Sequence, residues 1–554
     1  MSKKQIIPCV LLALSPMVFA APPSAGSQMQ QIPPSPVPQL ASPIFEIQPN
    51  NRPVPAESAS ARIIVNRLQV QGAKAYSEAD LLAVTGFAPG QELSLGELRG
   101  MAARIADFYH GNGYFVAQAY LPEQEIKDGI VTIVVIDGQY GKVTLNNQTN
   151  VSNDLANSLL GGLDSGDPVT SAPLEHRLLL LSDLPGVQVR STLVPGTTVG
   201  SSDLIVDLAP GQRVSGSVDA DNAGNRYTGA NRIGATVNFN EPTGHGDVAS
   251  LRALTSGPGL NYLRGSYQMQ FGKAKAGVAY SYLHYELGQE FESLQANGTA
   301  QVASIFGSYP LIRSRNNNLY AGLEFDAKKF QDKVDAPPGT VSDKRAQVLM
   351  ASLSGDHRDH IGAGGYSSYS ATLSSGNIDI QTPSILANDA ITAQTNGSFS
   401  KLGLSAARVQ NLTSSLSLSA NFNGQIASKN LDVSEKMELG GMYGVRAYAE
   451  GEAYGDQGYV LNLEARMLLP KFSERMPGQL QAIVFGDVGS VIANKNPWPP
   501  STGVDRRTLA GAGVGLNWSE TNNFMVRTYY AVRVTHHPLP DESGRFWIQA
   551  VKYF

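Results

Sequence analysis

The sequence predicts two small α/β units followed by a transmembrane antiparallel β-barrel. Three observations carry that reading: an N-terminal segment of export-signal type, a strand–helix–helix–strand–strand order that occurs twice, and a switch to period-two alternation from Gly211 to the aromatic C-terminus.

Lys3 and Lys4 precede a mostly apolar run from Ile6 to Phe19, and Val18-Phe19-Ala20 ends it with small residues at the cleavage position. Residues 1–20 therefore read as a secretory signal peptide, too short for a spanning helix. Cys9 is the only cysteine and lies within it. The mature chain then has neither a disulfide nor a thiolate metal site. Loss of the two lysines takes the net charge from −5 to −7, which argues against nucleic acid as the main partner. No later run of 18 apolar residues offers a transmembrane helix.

Residues 21–61 are dense in proline, from Pro22 to Pro55. Proline removes donors and disfavours helix at the preceding residue. The segment reads as an extended linker with room for a short helix within residues 24–31. The first α/β unit covers 62–138. IIVNRLQVQG reads as one strand. Ser77 caps a short helix, and Leu95, Leu98, Met101, Ala102, Ile105 and Phe108 fall on one face of a longer one that Gly111 and Gly113 end. VAQAYLP and GIVTIVVIDG read as strands. The second unit, 139–210, repeats the order: GKVTLNN, two helices, then VQVRSTLVPG and SSDLIVDLAPG.

Beyond Gly211 the faces separate. Leu416, Leu418, Phe422 and Ile426 share one face of a strand, with Ser417, Ser419, Asn421 and Gln425 on the other. Leu323 and Phe325 oppose Glu324 and Asp326, and Tyr530 and Val532 oppose Arg527 and Arg533. A strand that crosses a bilayer within a barrel needs one apolar face outward and tolerates a polar face inward. About 9–11 residues suffice when tilted. A soluble sandwich also alternates, but its apolar face must meet a second apolar sheet. The length after Gly211 suits sixteen strands, and by itself would also suit fourteen or eighteen. The chain ends in RFWIQAVKYF, similar to the terminal strand of outer-membrane barrels closed by Phe554; Lys552 departs from that pattern and is expected to snorkel.

The paired units between a signal and a glycine-rich β region resemble POTRA domains. LPGVQVRSTLVPGTTVGSSDLIVDL resembles the second POTRA domain of the two-partner secretion transporters, the hemolysin and filamentous-haemagglutinin exporter family of the Omp85 superfamily. The resemblance implies POTRA domains at 62–138 and 139–210 in the periplasm, after a linker 21–61 that plugs the barrel by a helix in some members. It implies a sixteen-stranded barrel at 211–554 in the Gram-negative outer membrane. The implied function is nucleotide-independent export of an unfolded β-rich partner exoprotein with a secretion domain: an adhesin, a hemolysin or a contact-dependent toxin. The other expected partners are the barrel-assembly machinery, outer-membrane lipid and lipopolysaccharide. A barrel-assembly factor and a diffusive porin are the competing readings; a porin has no use for residues 62–210.

The same resemblance places a Val-Arg-Gly-Tyr-like motif on an extracellular loop, 440–458, folded into the lumen. Here it reads Val445-Arg446-Ala447-Tyr448, with alanine in place of glycine. Alanine does not take a positive φ cheaply, so the loop tip is expected to differ. A buried arginine needs an acceptor. Phe485, Asp487 and Gly489 match the family's aromatic-x-Asp-x-Gly signature and share one strand face, which the carboxylate directs inward. Arg446 is expected to pair with Asp487, with Tyr448 or Tyr443 packed near Phe485. The pair would contribute about 0.2–1 kcal/mol if water reaches it. Gly511, Gly513 and Gly515 share a face that could lie beneath the loop.

No P-loop or nucleophile elbow is present. DHRDH, with His357 and His360, lacks a third ligand at known spacing. No catalytic residue, metal or cofactor is expected. An exposed POTRA strand edge can accept an extended client by strand addition, and Phe108, Tyr109, Tyr114, Phe115 and Tyr120 are the candidate client-binding residues.

Overall fold

The computed structural model describes residues 22–37, 44–47, 62–499, 505–534 and 544–554. The signal segment, with Cys9, lies outside the described residues.

The N-terminal part begins with a short helix, α1 (Ala25–Gln30), and a short strand, β1 (Ile44–Ile47). The first α/β unit contains β2 (Arg62–Val65), β3 (Arg67–Gln71), α2 (Glu78–Thr85), β4 (Gln91–Ser94), α3 (Leu95–Gly111), β5 (Gln118–Tyr120) and β6 (Ile130–Ile136). Where the sequence suggested one strand, Asn66 interrupts it: β2 pairs with β4, while β3 pairs in parallel with β6. The Asn66 side chain donates to the Asp128 carbonyl at 3.1 Å, which fixes the break. Ser94 and Glu97 form a reciprocal capping box on α3. Leu98, Met101, Ala102 and Ile105 are buried beneath that helix, as their spacing requires, while Leu95 is exposed.

The second unit follows as β7 (Gln139–Asn147), α4 (Asn153–Leu160), α5 (Ser171–Ser182), β8 (Val187–Pro195) and β9 (Ser201–Pro210). Its sheet holds four strands rather than three, in the order β1-β8-β9-β7. The added member comes from the proline-rich segment, which is thus not wholly a linker.

Sixteen strands, from Val214–Asp221 to Gly544–Tyr553, form a closed barrel. The last pairs antiparallel with the first, Tyr553 opposite Ser217. Closure leaves no unpaired edge, the condition for strands in hydrocarbon. The apolar faces read from the sequence point outward: Leu323, Phe325, Leu418, Phe422, Tyr530 and Val532 are all exposed. Phe554 exchanges two backbone hydrogen bonds with Gly216, at 2.9 and 3.1 Å, and sets the seam. The Lys552 amine reaches the Asn523 side chain at the adjacent turn.

The lumen is occupied by the chain itself. α1 packs against strands Ala274–Glu286, Ala296–Arg313 and Asn317–Val334, near their ends away from the α/β units. Residues 31–37 then run down the bore: the Gln31 carbonyl accepts from Arg232 at 3.0 Å, and the Pro36 carbonyl from Ser217. The second occupant is the connection between strands Leu416–Ala427 and Gln457–Leu468. It therefore spans 428–456, starting earlier than the expected 440 and ending before 458.

Candidate functional site

Arg446 lies on the inward-folded connection and is 3% exposed, with Asp487 at 3% on the facing wall strand Gln479–Ile492. The guanidinium grips Asp487 through Nε at 2.9 Å and Nη2 at 2.7 Å, and the Arg446 backbone N–H adds a third bond at 3.1 Å. Its remaining arm, Nη1, donates to Glu464 at 2.6 Å. The guanidinium carbon stands 3.5 Å from the Phe485 ring centroid and 4.8 Å from that of Tyr529. Cation–π attraction contributes most where water is excluded, as here.

The supporting contacts fix both partners. Asn462 donates to Asp487 at 2.8 Å and to the Gly444 carbonyl at 2.8 Å. Arg466 holds the other oxygen of Glu464 at 2.7 Å. Trp547 donates its indole N–H to the Arg446 carbonyl at 2.7 Å. Glu464, Asn462, Trp547 and Tyr529 were not foreseen. The signal was present: Asn462, Glu464 and Arg466 alternate with Leu461, Leu463 and Ala465, and three polar residues on one strand face belong in the lumen.

The expected pair is thus one arm of a buried cluster that also takes in Glu464, Asn462, Phe485 and Tyr529. The value for a solvated pair does not apply. Taking one partner from a buried pair costs about 3–5 kcal/mol, because the other charge is left unpaired. Phe485 meets Tyr529 edge-on, centroids 5.7 Å apart. Tyr448 is fully buried in the same apolar cluster, with Arg533 over its ring at 4.8 Å, while the Tyr443 hydroxyl accepts from Gln549 at 2.8 Å.

Ala447 does not have a positive φ; Gly441, with φ +92°, makes the sharp turn. The small residues of the wall match this loop. A Cβ on Gly511 would lie 2.5 Å from the Ala447 Cβ, and one on Gly489 would lie 2.9 Å from Leu439. A Cβ on Gly513 would meet the Phe485 ring at 2.5 Å, and one on Gly515 the Tyr529 ring at 2.4 Å. The glycine face therefore underlies the loop at Gly511, and farther on it seats the two rings against the guanidinium.

A second anchor holds the front of the loop. Its 3-10 turn Val433–Glu435 carries Glu435, paired with Lys328 and Lys401 at 2.9 Å each, and follows Asp432, paired with Lys344 at 2.7 Å. α1 rests on this turn: a Cβ on Gly26 would come within 2.7 Å of the Ser434 Cβ. The Asp332 carboxylate caps α1 at the Ala25 N–H, 2.6 Å, and Gln31 donates to Glu438 at 3.2 Å and to Tyr454 at 2.7 Å. Plug and loop thus form one packed body.

The expected client residues separate. Tyr109 is fully buried, and Phe108 and Tyr114 pack around Tyr76 with it. Tyr120, on edge strand β5, is 44% exposed. Phe115 meets Phe45 of β1 edge-on at 5.6 Å. Near His357 and His360, the Asp359 carboxylate is held by Arg408 at 2.8 Å.

Residues 200–518 match the family described as haemolysin secretion/activation protein ShlB/FhaC/HecB, and residues 63–138 match the ShlB-type POTRA domain. The heme/hemopexin transporter protein HuxB of Haemophilus influenzae (strain 86-028NP) is 30% identical over 470 residues, covering 84% of this chain and 82% of its own. The outer membrane transporter CdiB of Escherichia coli O6:K15:H31 is 23% identical over 519 residues, covering 90% and 85%. The solved structure of CdiB from Escherichia coli superposes with TM-score 0.68 at 19% identity, over 91% of this chain and 93% of that one. With a family match over more than half its length, and a 30%-identical relative along most of it, the chain belongs to the ShlB/FhaC/HecB family of two-partner secretion transporters, outer-membrane barrels with POTRA domains in the periplasm.

Proposed function

We propose that this transporter passes an unfolded, β-rich exoprotein from periplasm to cell surface through the bore now filled by α1 and the 428–456 loop, with no nucleotide hydrolysis and no enzymatic step. The observation that carries this reading is the filled lumen. A porin would keep its bore open, whereas here two segments of the chain close it. Folding of the client outside the cell makes return unfavourable and supplies the drive. Val445, Arg446, Ala447 and Tyr448 act as the retained lid, with Phe485, Asp487 and Gly489 as its seat on the wall.

Tyr120, Phe108, Tyr114 and Phe115 border the client's first contact, with Tyr109 supporting them from the core. Phe554 is the strand signal for the barrel-assembly machinery, and the apolar outer wall faces lipid and lipopolysaccharide. The class of exoprotein follows the relatives: heme/hemopexin transport is in the name of HuxB, the more similar of the two.

The test is export of the partner exoprotein by Arg446→Ala, with removal of residues 22–37 as a second variant. The first is expected to assemble and lose most export, and the second to raise ion conductance in planar bilayers. Wild-type export by an assembled Arg446→Ala barrel would refute the lid role. Unchanged conductance without residues 22–37 would refute the gate.

A further inference from the structure

Three lysines on the bore wall hold the front of the inward loop, and none of them belongs to the Arg446 seat. Lys328, Lys344 and Lys401 stand on strands Asn317–Val334, Thr340–Asp359 and Gly397–Asn411. The Arg446 seat lies on other strands, Gln457–Leu468 and Gln479–Ile492. Each lysine ends on a carboxylate of the loop. Glu435 takes Lys328 on one oxygen and Lys401 on the other, at 2.9 Å each, and Asp432 takes Lys344 at 2.7 Å. Lys401 also donates to the Glu435 carbonyl at 2.9 Å. The loop thus presents a short acidic segment, Asp432 to Glu435, held as a turn by the Ser434 N–H, which donates to the Asp432 carboxylate at 3.0 Å. The acids of the wall itself are otherwise engaged. Asp326 lies 3.6 Å from Lys328 and accepts from the Ser304 hydroxyl at 2.6 Å. Asp332 accepts from the Ala25 N–H at 2.6 Å and from the Tyr285 hydroxyl at 2.8 Å. Among the described residues, the loop supplies the only ion pairs of Lys344 and Lys401.

We infer that Lys328, Lys344 and Lys401 form a carboxylate-binding station for acidic segments of the exported polypeptide, and that Asp432 and Glu435 occupy it while the bore is closed. The inference rests on the export reading and gives a chemistry to its client. The loop displays the ligand that the station takes: two carboxylates close together on one stretch of chain. An ammonium donates and never accepts, so once the loop withdraws it needs an acceptor again. It is also a compact point charge with no planar fork to satisfy. Any carboxylate within reach therefore serves, and an unfolded chain in motion exchanges one Asp or Glu for the next. A cleft lined by one sign of charge between low-dielectric walls concentrates segments of the opposite sign. A client with closely spaced Asp and Glu thus competes with the loop for the same three lysines. While it passes, it keeps the front of the loop from returning. A basic segment is repelled by the same groups.

The test is block of ionic current through the full-length barrel in planar bilayers. Asp432→Asn with Glu435→Gln frees the lysines at almost unchanged side-chain size and is expected to open the bore more often. The probe is a synthetic peptide of repeated Gly-Asp-Ser-Glu units, with repeated Gly-Lys-Ser-Lys as its basic counterpart. The acidic peptide is expected to block this freed barrel at about tenfold lower concentration than the same barrel carrying Lys328→Gln, Lys344→Gln and Lys401→Gln. The advantage should shrink as salt rises from about 0.1 M to about 1 M. Lys344→Gln alone in the freed barrel is the milder variant, informative even where the triple one does not assemble, and should lose part of the advantage. The basic peptide should gain nothing from the lysines. Acidic block that ignores the loss of the lysines, or equal block by the two peptides, would overturn the inference. None of these readings needs an exoprotein, so their failure leaves the export reading as it stands. Lysine-dependent block in a protein that exports no partner would defeat the export reading and leave the station.

Discussion

At the scale of single residues, Arg446 is bound by shape as much as by charge. It spans two carboxylates, Asp487 at 2.7 Å and Glu464 at 2.6 Å, while its flat face covers Phe485. Lysine supplies one point charge and no planar fork. Arg446→Lys is therefore expected to behave like Arg446→Ala, with a loop loosened by about 3–5 kcal/mol, read as protease sensitivity of 428–456 and as added conductance. Wild-type behaviour of the lysine variant would contradict the fork. Ala447→Gly is expected to change the same readouts hardly at all, since the backbone there is not left-handed. Much of this site was legible. Arg446 stood out on a glycine-rich loop, and Asp487 had to face inward because a carboxylate on the lipid side is costly. Glu464 was equally readable from alternation but lacked a motif to draw attention to it. Tyr529 was not readable, because its place beside Phe485 depends on the register between strands two apart in pairing order.

At the scale of elements, the strands were legible where period two held. Register and bilayer both reward that pattern. The elements hardest to read are those whose partners lie far away in sequence: the short helix was placed only loosely, within residues 24–31, and β1 escaped altogether. α1 is six residues long, too short to be stable alone; it exists because Asp332 caps it and Ser434 receives Gly26. Likewise β1 sits among prolines and becomes a strand only because β8 offers an edge. The contact at Gly26 gives a paired test. Gly26→Ala puts a methyl where the Ser434 Cβ already stands, so the plug should leave and conductance should rise. Ser434→Gly in the same chain removes the obstruction and should return conductance toward wild type. Failure of the second substitution to rescue the first would mean that α1 does not lean on the loop. The loop has its own hold at this end. Glu435→Gln leaves Lys328 and Lys401 without their shared carboxylate, and is expected to raise conductance without rescue by Ser434→Gly.

At the scale of the whole molecule, the second POTRA unit keeps its place beneath the barrel by contacts from α5 and the residues just after it to the near ends of the strands. The contact is compact and largely polar. Asp183, just after α5, takes the Arg313 guanidinium in a two-pronged pair at 2.7 and 2.8 Å, and Lys275 donates to the Asp183 carbonyl at 3.3 Å. His176 on α5 lies among these groups. Its Nδ1–H donates to the Arg313 carbonyl at 3.0 Å, which leaves Nε2 as the acceptor for the Lys273 amine at 3.5 Å. Both bonds together require a neutral ring. Burial holds the His176 pKa below the ordinary histidine value, and Lys273, Arg177 and Arg313 act in the same direction, against the hydrogen bond to the Arg313 carbonyl. The acidic groups nearby, Asp183 and Glu175, are engaged by Arg313 and Arg315. An undocked His176 returns to the ordinary value of about 6.5, so the undocked state binds more protons on acidification. Docking is then at full strength above about pH 6.5 and weakens as pH falls through that value toward the lower docked one. Hydrogen exchange of α5 in the assembled protein should show less protection at pH 5.5 than at pH 7.5, and His176→Gln should remove the difference. Equal protection of wild-type α5 at both pH values would show that this histidine does not set how firmly the periplasmic unit is held.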